Sequence, residues 1–359
     1  MLETKPAPGH GYVIRERLGR GRWKEVYRAV YKQEWRDRAL AVFLQDRPTA
    51  ETVLEELKIL HRLREQPPPN VARIYGPFMG DDGKIYLAEE LLYRPLDVLC
   101  PLRSGEQFIR IARDLCFGLA ALHELAPPLV HRDLKLDNCG IDYTGQAKIF
   151  DLGSVTSEPG TIKGTTLTRA PELFQPGARC TTQSDVWALG AVLFALRCQH
   201  YPFVDKSEAS SRPQEGPDRE RFEKDIADRA LQQGADGRLA ARVREILPTG
   251  PQEVMLSMLS FDPKSRPSAR EAYQQWDSLL RSWVKPGRAE SKDAQAAGQE
   301  LGAYMRAVLA REVGLSAMQW ERVLKGIEDL GGKLSSAEMS ELEALRKRIK
   351  ALRDAGEVQ

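Results

Sequence analysis

Four polar residues stand close together in one stretch of the chain: Asp133, Lys135 and Asn138 within His131-Arg132-Asp133-Leu134-Lys135-Leu136-Asp137-Asn138, and Asp151 in the Asp151-Leu152-Gly153 that follows. Short apolar runs flank them, Leu129-Val130 before and Ala147-Lys148-Ile149-Phe150 between, and both read as small strands. The polar residues then fall on loops held by strands, so an Asp, a Lys and an Asn can share one face of a cleft. This set is what phosphoryl transfer needs. One carboxylate orients or accepts a hydroxyl proton, a cation steadies the transferring group, and two hard oxygen donors suit Mg²⁺.

The elements that must position these residues divide into two kinds. From Tyr12 to Leu92 the chain alternates strand-like runs with turns: Tyr12-Val13-Ile14, the segment Arg17 to Tyr27, Ala39 to Leu44, Val71 to Tyr75 and Lys84 to Leu92. One helix interrupts them from Thr49 to Leu63, ended by Pro67-Pro68-Pro69. Arg94-Pro95-Leu96 reads as a connection. From Ser104 helices dominate, and Ser184 to Leu196 is apolar on nearly all sides, the pattern of a buried helix. Val204 to Pro217 reads as a flexible insert.

The loop motif H-R-D-L-K-x-x-N, with D-x-G thirteen residues past Asn138, resembles the eukaryotic-type protein kinases. The resemblance runs from Tyr12 to Trp283. It implies an α+β, bilobal protein-kinase-like fold: a small N-terminal sheet plus one helix over 12–93 and a larger helical lobe over 94–285. It also implies ATP and Mg²⁺ as cofactors, Asp133 and Lys135 as catalytic residues, and Asn138 and Asp151 as holders of Mg²⁺. Gly19-x-Gly21 matches the family's phosphate-cradling loop, and Val26 and Ala41 complete its nucleotide-binding set. Asp151 to Glu172 matches the activation segment, closing on Ala170-Pro171-Glu172. Arg266 is the expected partner of Glu172. Lys135 together with Thr165 resembles the serine/threonine type, with protein as substrate.

Two departures stand out. Lys24 replaces the third glycine of the loop, and Phe43 stands where the family's strand lysine belongs. At this point the chain resembles the with-no-lysine kinases, in which a loop lysine takes over the phosphate. Lys24 is therefore expected to be catalytic, with Glu56 as its helical partner or, shifted by one position, Glu55. The alternative that Phe43 supports is a pseudokinase, a nucleotide-binding scaffold without turnover. Leu152 fits the with-no-lysine pattern, whereas Ser154 departs from the second leucine tied to chloride there.

The totals bound the rest. The chain has 359 residues, 42% of them hydrophobic, enough for two lobes with a sizeable core. A net charge of +2 gives no support for a nucleic-acid or anionic-membrane partner. The cysteines, five in number and scattered without C-x-x-C spacing, read as reduced thiols in a cytoplasmic setting. Residues 1–11 read as an N-terminal extension without a signal peptide. The tail, 286–359, is rich in Ala, Glu, Lys, Arg and Leu. Capping boxes at Ser316 and Ser335 and an apolar stripe Leu342, Leu345, Ile349, Leu352 make it a helical hairpin, expected to self-associate or to inhibit the kinase-like part.

Overall fold

The computed structural model describes residues 10–20, 24–34, 36–43, 50–204, 208, 216–232 and 237–283, with 50–57 and 216 described by backbone alone. Gly21, the side chain of Glu56, most of the insert and the 286–359 tail lie outside the described residues. The described chain forms two compact units, one of residues 10–43 with 77–91, the other of 50–76 with 92–283.

The first unit is built on an antiparallel sheet. Its strands are β1 (Tyr12–Arg20), β2 (Lys24–Tyr31), β3 (Arg36–Phe43), β4 (Ile74–Met79) and β5 (Ile85–Glu90), in the order β1-β2-β3-β5-β4. The division between units falls within β4. Strand side chains alternate between faces, and the register sorts them. Lys24 lies opposite Phe43 and Val26 opposite Ala41, which in turn faces Leu87, so these residues share one face. The other face carries an aromatic stack, Tyr12 on Phe78 at 5.3 Å and Phe78 on Tyr86 at 5.4 Å. Arg38 is buried beside that stack, donating to the Tyr12 hydroxyl at 2.8 Å and lying 4.2 Å over the Tyr31 ring.

The second unit is mostly helical. It contains α1 (Ala50–Glu65), α2 (Gly105–His123), α3 (Thr182–Cys198), α4 (Gly216–Gln232), α5 (Arg238–Ile246), α6 (Pro251–Met258) and α7 (Ala269–Trp283). Ser104 starts α2 by accepting the Gln107 N–H at 3.3 Å. The buried helix expected at Ser184–Leu196 is α3, and every residue of that run is buried. Phe108 meets Trp276 edge-on at 5.8 Å and Phe117 stacks on Tyr273 at 4.8 Å, which fixes α7 against α2. Small strands β6 (Arg94–Pro95), β7 (Leu129–Val130), β8 (Cys139–Ile141), β9 (Ala147–Ile149) and β10 (Thr156–Ser157) support the loops between helices.

Two element expectations are corrected. The strand expected at Val71–Tyr75 begins at Ile74, because Val71 bridges to Ile149 and the Ala72 N–H is given to the Ile149 carbonyl. Arg94-Pro95 is not a bare connection; it pairs with Ile141 and Gly140 of β8 as an edge strand, where proline's missing N–H is tolerated. All five cysteines are free thiols, and no helix among the described residues is long and apolar enough to cross a membrane.

Candidate active site

The loop from His131 to Asn138 is held at its start by Asp185 and from below through Phe150. Asp185, on the first turn of α3, accepts the N–H of His131 at 2.6 Å and of Arg132 at 3.0 Å. His123 Nε2 lies 3.1 Å from the same carboxylate. Below the loop, His131 is fully buried. Its Nδ1 accepts the Asp133 N–H at 3.3 Å, so its proton sits on Nε2 and is donated to the Phe150 carbonyl at 3.3 Å. Phe150 in turn gives its own N–H to the Asn138 carbonyl at 2.9 Å. One residue thus ties the loop of Asp133 and Asn138 to the residue before Asp151. His131 is a structural tie of this loop.

Several of the polar groups singled out in the sequence cluster around Asp133. Its Oδ1 accepts both the N–H and the hydroxyl of Thr165, each at 3.0 Å. Its Oδ2 accepts Asn138 Nδ2 at 3.1 Å and lies 3.4 Å from Lys135 Nζ. Asn138 Nδ2 also donates to the Asp133 carbonyl at 2.8 Å, leaving its Oδ1 as the donor it can offer a cation. Asp151 takes a left-handed conformation, φ 60° and ψ 66°. Such a backbone costs a side-chain-bearing residue about 1–3 kcal/mol, which the pinned Phe150 before it and the short helical turn Leu152–Ser154 after it sustain.

Asn138 and Asp151 supply an amide oxygen and a carboxylate, hard donors that suit Mg²⁺. Among the described residues no group of three or more His, Cys, Asp or Glu could hold a metal unaided. By donor chemistry, two such groups suit a cation that draws further ligands from water and phosphate. Cys139, adjacent to Asn138, is buried; burial pushes its thiol well up, so it packs and does not react.

The activation segment closes over the loop. β10 pairs with β7, Thr156 opposite Val130. Arg132 donates Nε to the Ser154 carbonyl at 2.6 Å and reaches the Thr161 carbonyl and hydroxyl at 3.2 and 3.1 Å. Gly164, with φ 84°, lies against the loop: an added Cβ would collide with the Arg132 carbonyl and come within 3.0 Å of Asp133 Oδ1. The segment ends at Glu172, which takes Arg266 in a two-pronged pair at 2.7 Å on each oxygen. The Arg266 side chain is wholly buried and lies 5.0 Å over the Trp187 ring.

The site residues on the sheet belong to the first unit. Gly19 pairs with Val26, and an added Cβ there meets no atom of the described residues within 4 Å. Lys24, Val26 and Ala41 share a face, as described above. Glu56 falls in α1, its side chain outside the described residues. Sequence reasoning missed Thr165 as the partner of Asp133 and Phe150 as the common tie. Thr165 stands 32 residues from Asp133, and no local pattern signals that bond.

A family model described as the protein kinase domain matches residues 12–276. Over 201 residues the chain is 28% identical to serine/threonine-protein kinase pkpA of Phycomyces blakesleeanus, covering 54% of this chain and 32% of that protein. It is 31% identical to serine/threonine-protein kinase RUNKEL of Arabidopsis thaliana, over 54% of this chain and 14% of that protein. It is 32% identical to serine/threonine-protein kinase WNK3 of Mus musculus, over 54% of this chain and 12% of that protein. The matched stretch is thus a third or less of these relatives' own length. With its catalytic-loop geometry and a family match over most of its length, the chain belongs to the protein kinase domain family, among relatives that are serine/threonine-protein kinases.

Proposed function

We propose that the chain is an active serine/threonine protein kinase that transfers the γ-phosphate of ATP to a protein hydroxyl. The observation that carries this reading is the state of Asp133. Its carboxylate is oriented by Thr165 and Asn138 and lies 3.4 Å from Lys135 Nζ, so one oxygen can hold a hydroxyl proton beside a cation. Oriented proton transfer of this kind contributes roughly 10²–10⁴ in rate. Asn138 Oδ1 and the Asp151 carboxylate would hold Mg²⁺, which when bound neutralises charge on the phosphates. Lys24 supplies the cation that Phe43 cannot, a reading supported by their direct pairing across β2 and β3. A lysine's flexible four-carbon stem can serve one point from either strand.

Asp133→Ala and Asp151→Ala test the reading together, with labelled ATP, Mg²⁺ and a generic protein substrate. Each should abolish transfer. Asp151→Ala should also weaken Mg²⁺-dependent nucleotide binding, which Asp133→Ala should spare. Retained turnover in both variants overturns the mechanism. A parent that binds nucleotide without turnover is a scaffold.

A further inference from the structure

We propose that Glu158 is a positioning residue for Asp133, acting through the first turn of α3, an inference that rests on the kinase reading for its catalytic consequence. Glu158 lies on the activation segment, away from the reacting groups. Its Oε1 accepts the N–H of Thr182 at 2.9 Å and the Thr182 hydroxyl at 3.2 Å. Thr182 is the first residue of α3, and its N–H is among the donors a helix start cannot satisfy internally. The capping box covers its neighbours: Ser184 Oγ accepts the Thr181 N–H at 2.9 Å, and Thr181 Oγ1 accepts the Ser184 N–H at 3.4 Å. Glu158 provides the acceptor that the box leaves out. It also sets a negative charge at the positive end of the helix dipole.

That same helix turn carries Asp185, whose side chain is 2% exposed and which holds the two residues before Asp133. A second connection runs in parallel. Gly160 and Cys180 exchange both backbone hydrogen bonds at 2.8 Å, two residues on from Glu158 and two before Thr182. Arg132 also lies against Gly160, its Cδ 2.9 Å from where a Cβ would stand. Glu158 is therefore the charged pin of a clamp joining segment, helix start and loop. Thr165, further along the segment, closes the clamp on Asp133.

Hydrogen exchange and steady-state kinetics on full-chain Glu158→Ala and Glu158→Gln test this. Loss of hydrogen bonds to a charged acceptor should speed exchange at Gly160, Thr182, His131 and Arg132 by roughly tenfold or more in the Ala variant, with α2 and α7 unchanged. Turnover should fall by roughly tenfold, with the KM for ATP moving less than about twofold. The Gln variant, which keeps an accepting oxygen, should return both readouts to within about threefold of the parent. Parent-like exchange at those amides in Glu158→Ala overturns the assignment, and so does a loss of protection spread evenly over the unit. If the parent itself shows no turnover, the kinase reading fails, and the exchange pattern decides the role of Glu158 by itself.

Discussion

Replacing Lys24 with alanine should cost most of the activity while leaving the fold in place. Lys24 is half-buried at the start of β2, on the face that carries Val26 and Ala41. Directly opposite residues in an antiparallel pair have Cβ atoms about 4.5–5.5 Å apart, so positions 24 and 43 can present a lysine amine to the same point. Loss of one aligned contact to developing phosphate charge should cost about 3–4 kcal/mol, by analogy with deletion of an oxyanion-hole donor. This corresponds to roughly 10²–10³ in rate. Phe43→Ala should behave differently. Phe43 is 7% exposed, and truncating a buried aromatic costs about 3–5 kcal/mol of stability. Its defect should appear in the thermal midpoint before it appears in nucleotide affinity. Lys24→Gly combined with Phe43→Lys should recover part of the activity, since the cation then arrives from the facing strand. The assay is phosphoryl transfer alongside ATP titration and a thermal melt for each variant. If Lys24→Ala binds ATP and turns over like the parent, the displaced-lysine reasoning is wrong.

Two further outcomes are expected. Glu172→Gln leaves the buried Arg266 guanidinium without its counter-charge and should cost about 3 kcal/mol, a drop in melting midpoint of roughly 6–12 °C for a unit of this size; Glu172→Leu with Arg266→Met should recover most of it, and equal midpoints for parent and Gln variant would refute the pairing's role. Asp114 is pushed above the usual carboxylate range by burial, against the pull of Arg113, so the folded state favours its proton and its contribution to stability is fully present below the unfolded value and lost as pH rises through the folded one; the stability of the parent relative to Asp114→Asn, followed by urea melts, should therefore fall as pH rises through that window, and a flat difference would refute it.

Much of this site could be read from the sequence because its parts are local. Asp133, Lys135 and Asn138 fall within one short run, and the apolar periods on either side mark the strands that hold them. Ser184 to Leu196 announced a buried helix because it is apolar on nearly all sides. The failures share one cause, pairing between distant segments. Val71-Ala72 has the composition of a β4 start, yet its hydrogen bonds go to Ile149. Arg94-Pro95 looks like a linker until β8 lies beside it. Thr165 and Phe150 act through backbone groups and a hydroxyl, whose partners no periodicity reveals. The register of Lys24 against Phe43 belongs to the same class, although the matched loss and gain in sequence hinted at it.

Gly164 and Gly160 bring the activation segment's backbone onto the catalytic loop with no side-chain layer between them. The spacing there depends on bare backbone, which glycine at these two positions provides. A substitution at the exposed Ser157 can alter hydroxyl content without changing the gauge of that contact, whereas Glu158 and Gly160 in the same stretch are part of it. An insertion or deletion in the same stretch would move both glycines off their seats at once. Segment length is therefore constrained by this architecture alongside the identities of Glu158, Gly160, Gly164 and Thr165.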